Sequence, residues 1–254
     1  MKHLNLLDDL AAEHSALGAV LSDLAPGDWA LPTPSVGWTV SDQISHLRFF
    51  DERATMALCD ADAFLADRER IISGAPHDPS VDAGRSLSWA DLLGEWRNHS
   101  EQLRARAAGV ESDQRVPWYG PAMSVPSFLT ARLMETWAHG LDVADALGVS
   151  VPPSPRLKSI AHLGVRTRDF AFSVHGLTPP VEPFRVELTA PDDDLWTWGP
   201  EDAAQRVVGT ALDFCYLVTQ RRPRATLNVE AHGTDAQTWL GIAQAFAGPA
   251  GPGR

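Results

Sequence analysis

The sequence predicts a mostly α-helical protein, with an N-terminal helical bundle followed by a smaller C-terminal α+β domain. Apolar residues recur at helical spacing through the first part of the chain, which indicates amphipathic helices. Proline- and glycine-rich segments separate these stretches. Beyond residue 175, short runs of β-branched and aromatic residues alternate with helical stretches. We therefore assign residues 1–175 to the bundle, with a linker helix at 156–174, and residues 176–254 to the second domain.

Five helices are predicted in the bundle and its linker. The segment PGDWALPTPSVGW interrupts the helical repeat after the first of them. Thr39-Val-Ser-Asp42 resembles a capping box, with Asp in place of the usual Glu or Gln, and marks the start of the second. Gly148 marks the end of the fourth. The predicted ranges are 4–24, 40 to the 60s, 88–107, 127–147 and 156–174.

The second domain is predicted to mix strands and helices. FRVELTAP and LWTWG are typical of two strands joined by the turn PDDD. The stretch 201–220 follows as a predicted helix. RATLNVEAHG is a further strand, and 235–247 is the last helix.

The charge, the cysteine content and the hydrophobic segments of the sequence limit the partners and the cellular compartment expected for this protein. The chain has 21 Lys and Arg against 33 Asp and Glu, a formal net charge of −12, and no basic stripe, so nucleic acid and anionic membrane are not expected partners. Cys59 and Cys215 lie far apart in unrelated contexts, which indicates two buried thiols in a reducing compartment. The first residues lack the apolar core of a signal peptide, and no stretch has the length of a membrane span. These features predict a cytoplasmic protein.

Three polar residues share one stripe of the fourth predicted helix. At 100° per residue, Glu135, His139 and Asp142 point the same way, flanked by small or apolar side chains. Glu135 and His139 are one turn apart, so both can reach a common metal ion. Asp142 is close enough to accept the other ring N–H of a ligating histidine. A Glu and a His one turn apart are also common on helix surfaces, so the spacing alone leaves both interpretations open.

His46 is the third candidate ligand. It lies on the flank of the apolar face of the second predicted helix, near Phe50. Metal sites in helical bundles are built from side chains on facing helices. If the two helices pack side by side, His46, Glu135 and His139 form a ligand set with an open coordination position. If they do not, these are three ordinary polar residues.

Two longer motifs contain these residues. W-T-V-x-D-x-x-x-H-L spans 38–47, and E-x-x-x-H-x-x-D spans 135–142. Together with LLDDLAAEHSAL and PEDAAQRVVGTALDFCYLVTQRRP, they resemble the mycothiol-dependent maleylpyruvate isomerase family, a branch of the DinB-like metal-binding superfamily. The similarity covers nearly the whole chain. It is closer to an actinobacterial metal-binding subgroup that shares METWAHG and VPWYGP, which leaves the exact reaction open.

The resemblance implies a fold, a cofactor and a class of reaction. The implied fold is a DinB-like four-helix bundle with up-down-down-up topology. Its divalent metal, expected to be Zn²⁺, would be bound by His46, Glu135 and His139. The implied activity is that of an isomerase or S-transferase whose cosubstrate is the low-molecular-weight thiol mycothiol. Metal binding lowers the pKa of such a thiol, and the thiolate then attacks an electrophilic carbon.

Further residues are candidates for the substrate cleft. Trp118 and Tyr119 precede the metal helix and are expected to line the cleft, with a packed turn as the alternative. Arg53 is expected to orient a substrate carboxylate, with a solvated charge as the alternative. A hydrolase would use the same ligands and a general base, for which Asp142 or Glu52 are candidates, and a non-catalytic metal-binding protein is a third interpretation. The small-molecule substrate, the native metal and the oligomeric state, including a homodimer, stay open.

Overall fold

The computed structural model describes residues 2–74, 78–248 and 250–251. The chain divides into two compact units, Met1–Val151 and Pro152–Arg254. The first unit is helical and the second combines helices with a four-stranded sheet, which confirms the predicted mostly α class. No helix among the described residues is long and apolar enough to cross a membrane. Cys215 is buried but Cys59, the last residue of its helix, is exposed, so the prediction of two buried thiols is wrong for Cys59.

Four long helices build the first unit. The helix α1 packs against α6 and α5, and α2 packs against α5 and α6, so the four helices close into a ring as in a four-helix bundle. The apolar core between them includes Leu17, Ile44, Leu47, Leu92 and Trp96. The elements are α1 (Lys2–Ser22), a 3₁₀ turn (Asp28–Ala30), α2 (Val40–Cys59), α3 (Ala61–Gly74), α4 (Pro79–Asp82), α5 (Trp89–Ala107), β1 (Arg115–Val116), antiparallel β2 (Met123–Ser124) and α6 (Val125–Leu147).

The second predicted helix is two helices in the structure. At Asp60 the backbone leaves the helical region, with φ −147° and ψ 86°, and α2 ends. The carboxylate of Asp60 accepts a hydrogen bond from the backbone N–H of Ala63 at 3.0 Å, which satisfies a donor in the first turn of α3. A side chain that caps a new helix therefore interrupts a continuous helical pattern.

The second unit contains a mixed sheet flanked by helices. The strand order is β4-β3-β5-β6, with β3 parallel to β5 and antiparallel to β4, and β5 antiparallel to β6. The β3–β4 hairpin confirms the predicted pair of strands. The elements are α7 (Leu157–Arg166), α8 (Arg168–Val174), β3 (Phe184–Thr189), β4 (Leu195–Trp198), β5 (Gln205–Thr210), α9 (Ala211–Val218), a 3₁₀ turn (Arg224–Thr226), β6 (Val229–His232) and α10 (Thr234–Ile242).

The helix predicted over 201–220 is wrong in its first half. Residues Gln205–Thr210 form the strand β5, which pairs with β3 on one side and β6 on the other. Thr210 then caps α9 by accepting a hydrogen bond from the backbone N–H of Asp213 at 3.0 Å. Alanines and valines between 203 and 211 recur at helical spacing, so periodicity favoured a helix. Two neighbouring strands overrode that local pattern.

The structure also places the linker helix in the second unit. The predicted helix 156–174 is divided at Thr167 into α7 and α8, and α7 packs against α9. Gly164 approaches Val218 so closely that an added Cβ would lie 2.9 Å from its methyl carbons. The predicted boundary at residue 175 therefore differs from the division after Val151, because the apolar face of α7 is buried against α9.

Candidate metal centre

Helices α2 and α6 carry the candidate ligands. The start of α2 is the predicted capping box: Thr39 Oγ1 accepts from the Asp42 backbone N–H at 3.3 Å, and the Asp42 carboxylate accepts from the Thr39 N–H at 2.8 Å. Two turns of helix beyond Thr39 bring His46 to the surface of α2 that packs on α6. Glu135 and His139 lie one turn apart on α6.

The structure brings all three predicted ligands together. One ligand atom from each of His46, Glu135 and His139 lies within 4.8 Å of the others. The centroids of the two imidazole rings are 4.4 Å apart, and His139 Nε2 lies 3.1 Å from Glu135 Oε2. The His139 side chain is 9% exposed and that of Glu135 is 23% exposed. The condition on which the sequence prediction depended, that the two helices are adjacent, is met.

Hydrogen bonds determine the tautomer of His139. Thr33 Oγ1 donates to the carbonyl oxygen of Trp38 at 3.0 Å, so it accepts from Gln43 Nε2 at 2.9 Å. The Gln43 amide therefore turns its Oε1 toward His139 Nδ1, 2.6 Å away. Because an amide oxygen only accepts, His139 carries its proton on Nδ1 and its lone pair on Nε2.

That tautomer makes the His139–Glu135 contact a cation site. Two lone-pair-bearing atoms, His139 Nε2 and Glu135 Oε2, face each other at 3.1 Å. They repel unless a proton or a metal ion lies between them. Two ligand atoms on one tetrahedral zinc ion, each about 2.0–2.2 Å from it, are about 3.3–3.6 Å apart, which is close to the observed 3.1 Å. Two imidazole nitrogens and one carboxylate oxygen are also a donor set that zinc prefers, so the residues present fit a divalent metal.

The carboxylate of Glu135 is held in its ionised form. Burial by itself would raise its pKa. When no metal ion is bound and Nε2 of both histidines is protonated, the hydrogen bond from His139 and the positive charges of His139, His46 and Arg132 outweigh burial and lower the pKa to about 2. Glu135 is therefore an anion when the histidines are charged, and a metal ion bound between His139 Nε2 and Glu135 Oε2 would supply the positive charge that stabilises the anion when they are neutral.

Aromatic rings surround the two histidines. The Trp38 ring stacks on His139 with 6.0 Å between centroids and a 15° interplanar angle, and it lies 5.2 Å from His46. The Phe50 ring also packs on His46, with 4.6 Å between centroids. These contacts shield both imidazoles from water and restrict the rotation of their rings.

The loop that carries Trp118 and Tyr119 reaches this cluster through Phe50. Trp118 lies 6.1 Å and Tyr119 5.4 Å from the Phe50 ring, both in edge-to-face geometry. Trp118 also stacks on Phe64 at 5.4 Å and 5°. Burial raises the pKa of Tyr119 to about 12, so its hydroxyl stays protonated. The two residues belong to an aromatic cluster continuous with the site, and their contact with a substrate stays a prediction.

Asp142 does not occupy the position predicted for it beside His139. The Nδ1 atom of His139 is paired with Gln43. The Asp142 side chain is fully buried and accepts a hydrogen bond from Ser35 Oγ at 3.0 Å. The assignment was wrong because the sequence placed Asp142 on the correct stripe of α6 but gave no information about α2, which supplies the partner.

Arg53 has an acidic partner within the protein. Its Nε lies 2.9 Å from Asp67 Oδ2, its Nη1 lies 3.3 Å from Glu52 Oε2, and its guanidinium stacks 3.3 Å from the centroid of Phe49. The same charge lies near the hydroxyl of Tyr119. Recognition of a substrate carboxylate by Arg53 stays a prediction, and it requires the carboxylate to share the guanidinium with Asp67.

A buried ion pair joins α2 and α6 close to the ligands. Both Nε and Nη2 of Arg132 donate to Asp51 Oδ1, at 3.2 and 2.9 Å, and both side chains are almost fully buried. His14 of α1 lies 3.7 Å from the other Asp51 oxygen and 3.3 Å from Thr136 Oγ1. Arg104 of α5 donates to His14 Nδ1 at 2.6 Å. Side chains from all four long helices thus meet in one polar network.

We expect this network to make the first unit sensitive to acid. Burial, aided by the charges of Arg104 and Arg132 and opposed by Asp51, lowers the pKa of His14 from 6.5 to about 4. Between these values the unfolded chain binds a proton that the folded chain excludes, so stability falls as pH decreases from 6.5 toward 4. The loss from pH 7 to pH 4.5 is expected to be about 2–3 kcal/mol.

Urea unfolding of the wild type and of His14→Gln at both pH values measures this loss. The variant retains a hydrogen-bonding side chain but has no titrating imidazole. The wild type is expected to lose about 2–3 kcal/mol more than the variant on acidification. An equal loss in both proteins would contradict the assignment of the acid sensitivity to His14.

Three residues near the ligands were not predicted as part of the site. Gln43 lies one turn before His46 on the same face of α2, so helical spacing could have predicted that it lies near the site. Trp38 belongs to the motif that contains His46, but its position over His139 depends on the loop before α2. Ser80, whose Oγ lies 2.8 Å from His46 Nδ1, is 34 residues away in sequence and had no local signal.

Comparison with protein families gives two matches. The model of the mycothiol maleylpyruvate isomerase N-terminal domain matches residues 10–144, more than half of the chain and the part that contains all three candidate ligands. A model described as wyosine base formation matches residues 180–230 in the second unit.

The chain is also similar to relatives and solved structures over most of its length. Two uncharacterized proteins from two strains of Mycobacterium tuberculosis are each 53% identical over 252 residues, covering 97% of this chain and 96% of theirs. The crystal structure of the mycothiol-dependent maleylpyruvate isomerase matches with a TM-score of 0.58 at 17% identity, over 89% of this chain and 91% of that one. A histidine-to-alanine mutant of it gives a TM-score of 0.57 at 16% identity and the same coverage. The family model covers more than half of the chain, and the solved structures share the fold of this chain. This protein therefore belongs to the mycothiol-dependent maleylpyruvate isomerase family.

Proposed function

We propose that this protein is a divalent-metal-dependent enzyme that uses a low-molecular-weight thiol, mycothiol or a close analogue, to attack an electrophilic small molecule. The outcome is isomerisation or S-transfer. The proposal combines membership of the family with the His46, Glu135 and His139 cluster. The solved isomerase shares the fold of this chain, and mycothiol is the thiol named for that protein.

The observation that carries the proposal is the cation site between His139 and Glu135. The Gln43 amide holds the His139 lone pair toward a carboxylate that is ionised, and His46 lies beside them. The three side chains would hold a divalent ion, which when bound lowers the pKa of a coordinating thiol and so supplies a thiolate at neutral pH.

The surrounding residues restrict the site. Trp38 stacks on His139 and lies beside His46, and Phe50 also packs on His46. Exclusion of water strengthens the electrostatic interactions among Glu135 and the two imidazoles. Asp51 lies five residues after His46 on α2, and Arg132 lies three residues before Glu135 on α6. The ion pair between them holds the two helices in register.

The chemistry of the reacting molecules then allows two outcomes. A thiolate adds to one carbon of an activated double bond, forming a C–S bond and placing the electron pair on the activating group. Rotation about the resulting single bond and cleavage of C–S regenerate the thiolate and give cis–trans isomerisation. If another group leaves, or if the carbanion is protonated, the product is a thioether and the reaction is S-transfer.

A hydrolase with the same ligands is the alternative, and it requires a general base beside the open position. Asp142 is fully buried and accepts from Ser35. Glu52 forms ion pairs with Arg48 and Arg53. These contacts favour neither carboxylate as a base, so the thiol-dependent function is preferred over hydrolysis.

Cobalt-substituted protein tests the proposal. Addition of mycothiol is expected to change the visible spectrum of bound Co²⁺, while S-methylmycothiol, which has no ionisable thiol, leaves it unchanged. Incubation with maleylpyruvate and with other activated alkenes is expected to give thiol-dependent turnover. Ester or amide hydrolysis without thiol would instead establish the hydrolase. A protein that binds the metal but gives no spectral change and no turnover is a non-catalytic metal-binding protein.

A further inference from the structure

The segment of residues 78–84 lies against α2 directly over His46. Ser45 of α2 donates through Oγ to the carbonyl oxygen of Ser80 at 2.5 Å, with the Val81 carbonyl 3.3 Å away. The adjacent residue, His46, contacts the Ser80 side chain, with Nδ1 2.8 Å from Oγ. Ser80 is fully buried. Consecutive residues of α2 therefore hold the backbone and the side chain of Ser80.

The direction of the Ser80 hydrogen bonds follows from Asp78. Ser80 Oγ lies 2.6 Å from Asp78 Oδ1, and the Ser80 backbone N–H donates to the same oxygen at 2.9 Å. A carboxylate only accepts, so the single hydroxyl proton of Ser80 points to Asp78. The hydroxyl oxygen is then an acceptor for His46 Nδ1–H. Like His139, His46 carries its lone pair on Nε2.

The segment comes this close because residue 84 is glycine. Gly84 is buried, and a Cβ at this position would lie 2.5 Å from Ser45 Cβ and closer still to Ser45 Oγ. Real Cβ atoms do not approach other carbons so closely, so any larger residue must displace the segment from α2. The backbone of Gly84 has no unusual torsion angle, so the requirement concerns space alone.

We propose that Ser80, oriented by Asp78 and brought to α2 by the glycine at position 84, is a positioning residue that holds His46 as the Nδ1–H tautomer. The role of Ser80 in metal binding rests on the proposed function, because it requires that His46 is a metal ligand. The outer partner of a ligating imidazole sets its tautomer, ring orientation and basicity. His139 has a neutral amide in this role, whereas His46 has a hydroxyl linked to a carboxylate.

Two variants separate the parts of the proposal. Ser80→Ala removes the hydroxyl and leaves the segment in place. Gly84→Ala keeps the hydroxyl and moves the segment. Ser80→Thr restores a hydroxyl and serves as the rescue. The matched controls are Ser73→Ala on α3, which is exposed, and Gly94→Ala on α5, where an added Cβ meets nothing within 4 Å.

Two measurements read out the result. Titration of metal-free protein with Zn²⁺ against a chromophoric chelator gives the Kd, which Ser80→Ala and Gly84→Ala are expected to raise about 10–100-fold. Ser80→Thr is expected to recover most of the affinity, and both controls to match the wild type. Long-range ¹H–¹⁵N NMR of metal-free protein reports the tautomers: Ser80→Ala is expected to convert His46 to a mixture and to leave His139 as Nδ1–H.

The NMR arm works without metal, so it distinguishes failure of this inference from failure of the proposed function. A wild type that takes up no Zn²⁺ but shows the Ser80-dependent tautomer of His46 refutes the proposed function and supports the role of Ser80. Unchanged His46 resonances in Ser80→Ala overturn the inference, whatever the Kd. A Kd within twofold of wild type in both Ser80→Ala and Gly84→Ala overturns it as well.

Discussion

Replacing any of the three candidate ligands is expected to reduce affinity for a divalent metal on the order of 10²–10³-fold, because binding free energies of about 10–16 kcal/mol are shared among a few ligands. The variants are His46→Ala, His139→Ala and Glu135→Gln. Thiol-dependent turnover is expected to disappear in each. Metal content after dialysis, measured by plasma emission spectroscopy, and turnover with saturating thiol check the prediction.

The controls come from a neighbouring helix. His99→Ala and Glu101→Gln make the same chemical changes on α5, outside the cluster, and are expected to retain both metal and turnover. Metal content equal to wild type in His46→Ala and His139→Ala, or a wild type without stoichiometric metal, would refute the proposed function. Removing the metal with a chelator is expected to reproduce the loss of turnover, and returning Zn²⁺ or Co²⁺ to reverse it.

The second large effect is expected at the buried ion pair. Arg132→Met removes both hydrogen bonds to Asp51 Oδ1 and leaves the fully buried carboxylate without its ion-pair partner, which is expected to reduce the free energy of unfolding by about 3–5 kcal/mol. The loss arises because the cost of burying the Asp51 carboxylate is no longer offset by the charge of Arg132. Urea unfolding at pH 7 measures it.

A double-mutant cycle shows whether the effect belongs to the pair. Asp51→Asn with Arg132→Met is expected to be less destabilising than the sum of the single variants, since it leaves no uncompensated buried charge. The surface residue Arg85, whose side chain is 60% exposed and pairs with Asp82 and Asp42, offers the comparison. Arg85→Met is expected to lose less than about 1 kcal/mol. Strictly additive losses in the cycle would show that Asp51 and Arg132 act independently.

Elements whose signals are local were predicted well from the sequence. The capping box at Thr39 marks the start of α2, and Gly148, with a left-handed φ of 66°, marks the end of α6, as the sequence pattern indicated. Such signals depend on hydrogen bonds and backbone torsions within a few residues. The β5 strand depends instead on partners distant in sequence, and for that reason helical periodicity in 203–211 was misleading.

The sequence by itself determined that Glu135 and His139 lie one turn apart on one face of a helix, because helical geometry is the same in every protein. It linked His46 to them only through resemblance to a family. The tertiary structure decided that α2 faces α6, and hence that the three ligands meet. It also decided that Gln43 contacts Nδ1 of His139 and that Ser80 contacts Nδ1 of His46, where the sequence had suggested Asp142. Hydrogen bonds at 2.6–2.8 Å between side chains 96 and 34 residues apart depend on the packing of whole elements, which no local pattern encodes.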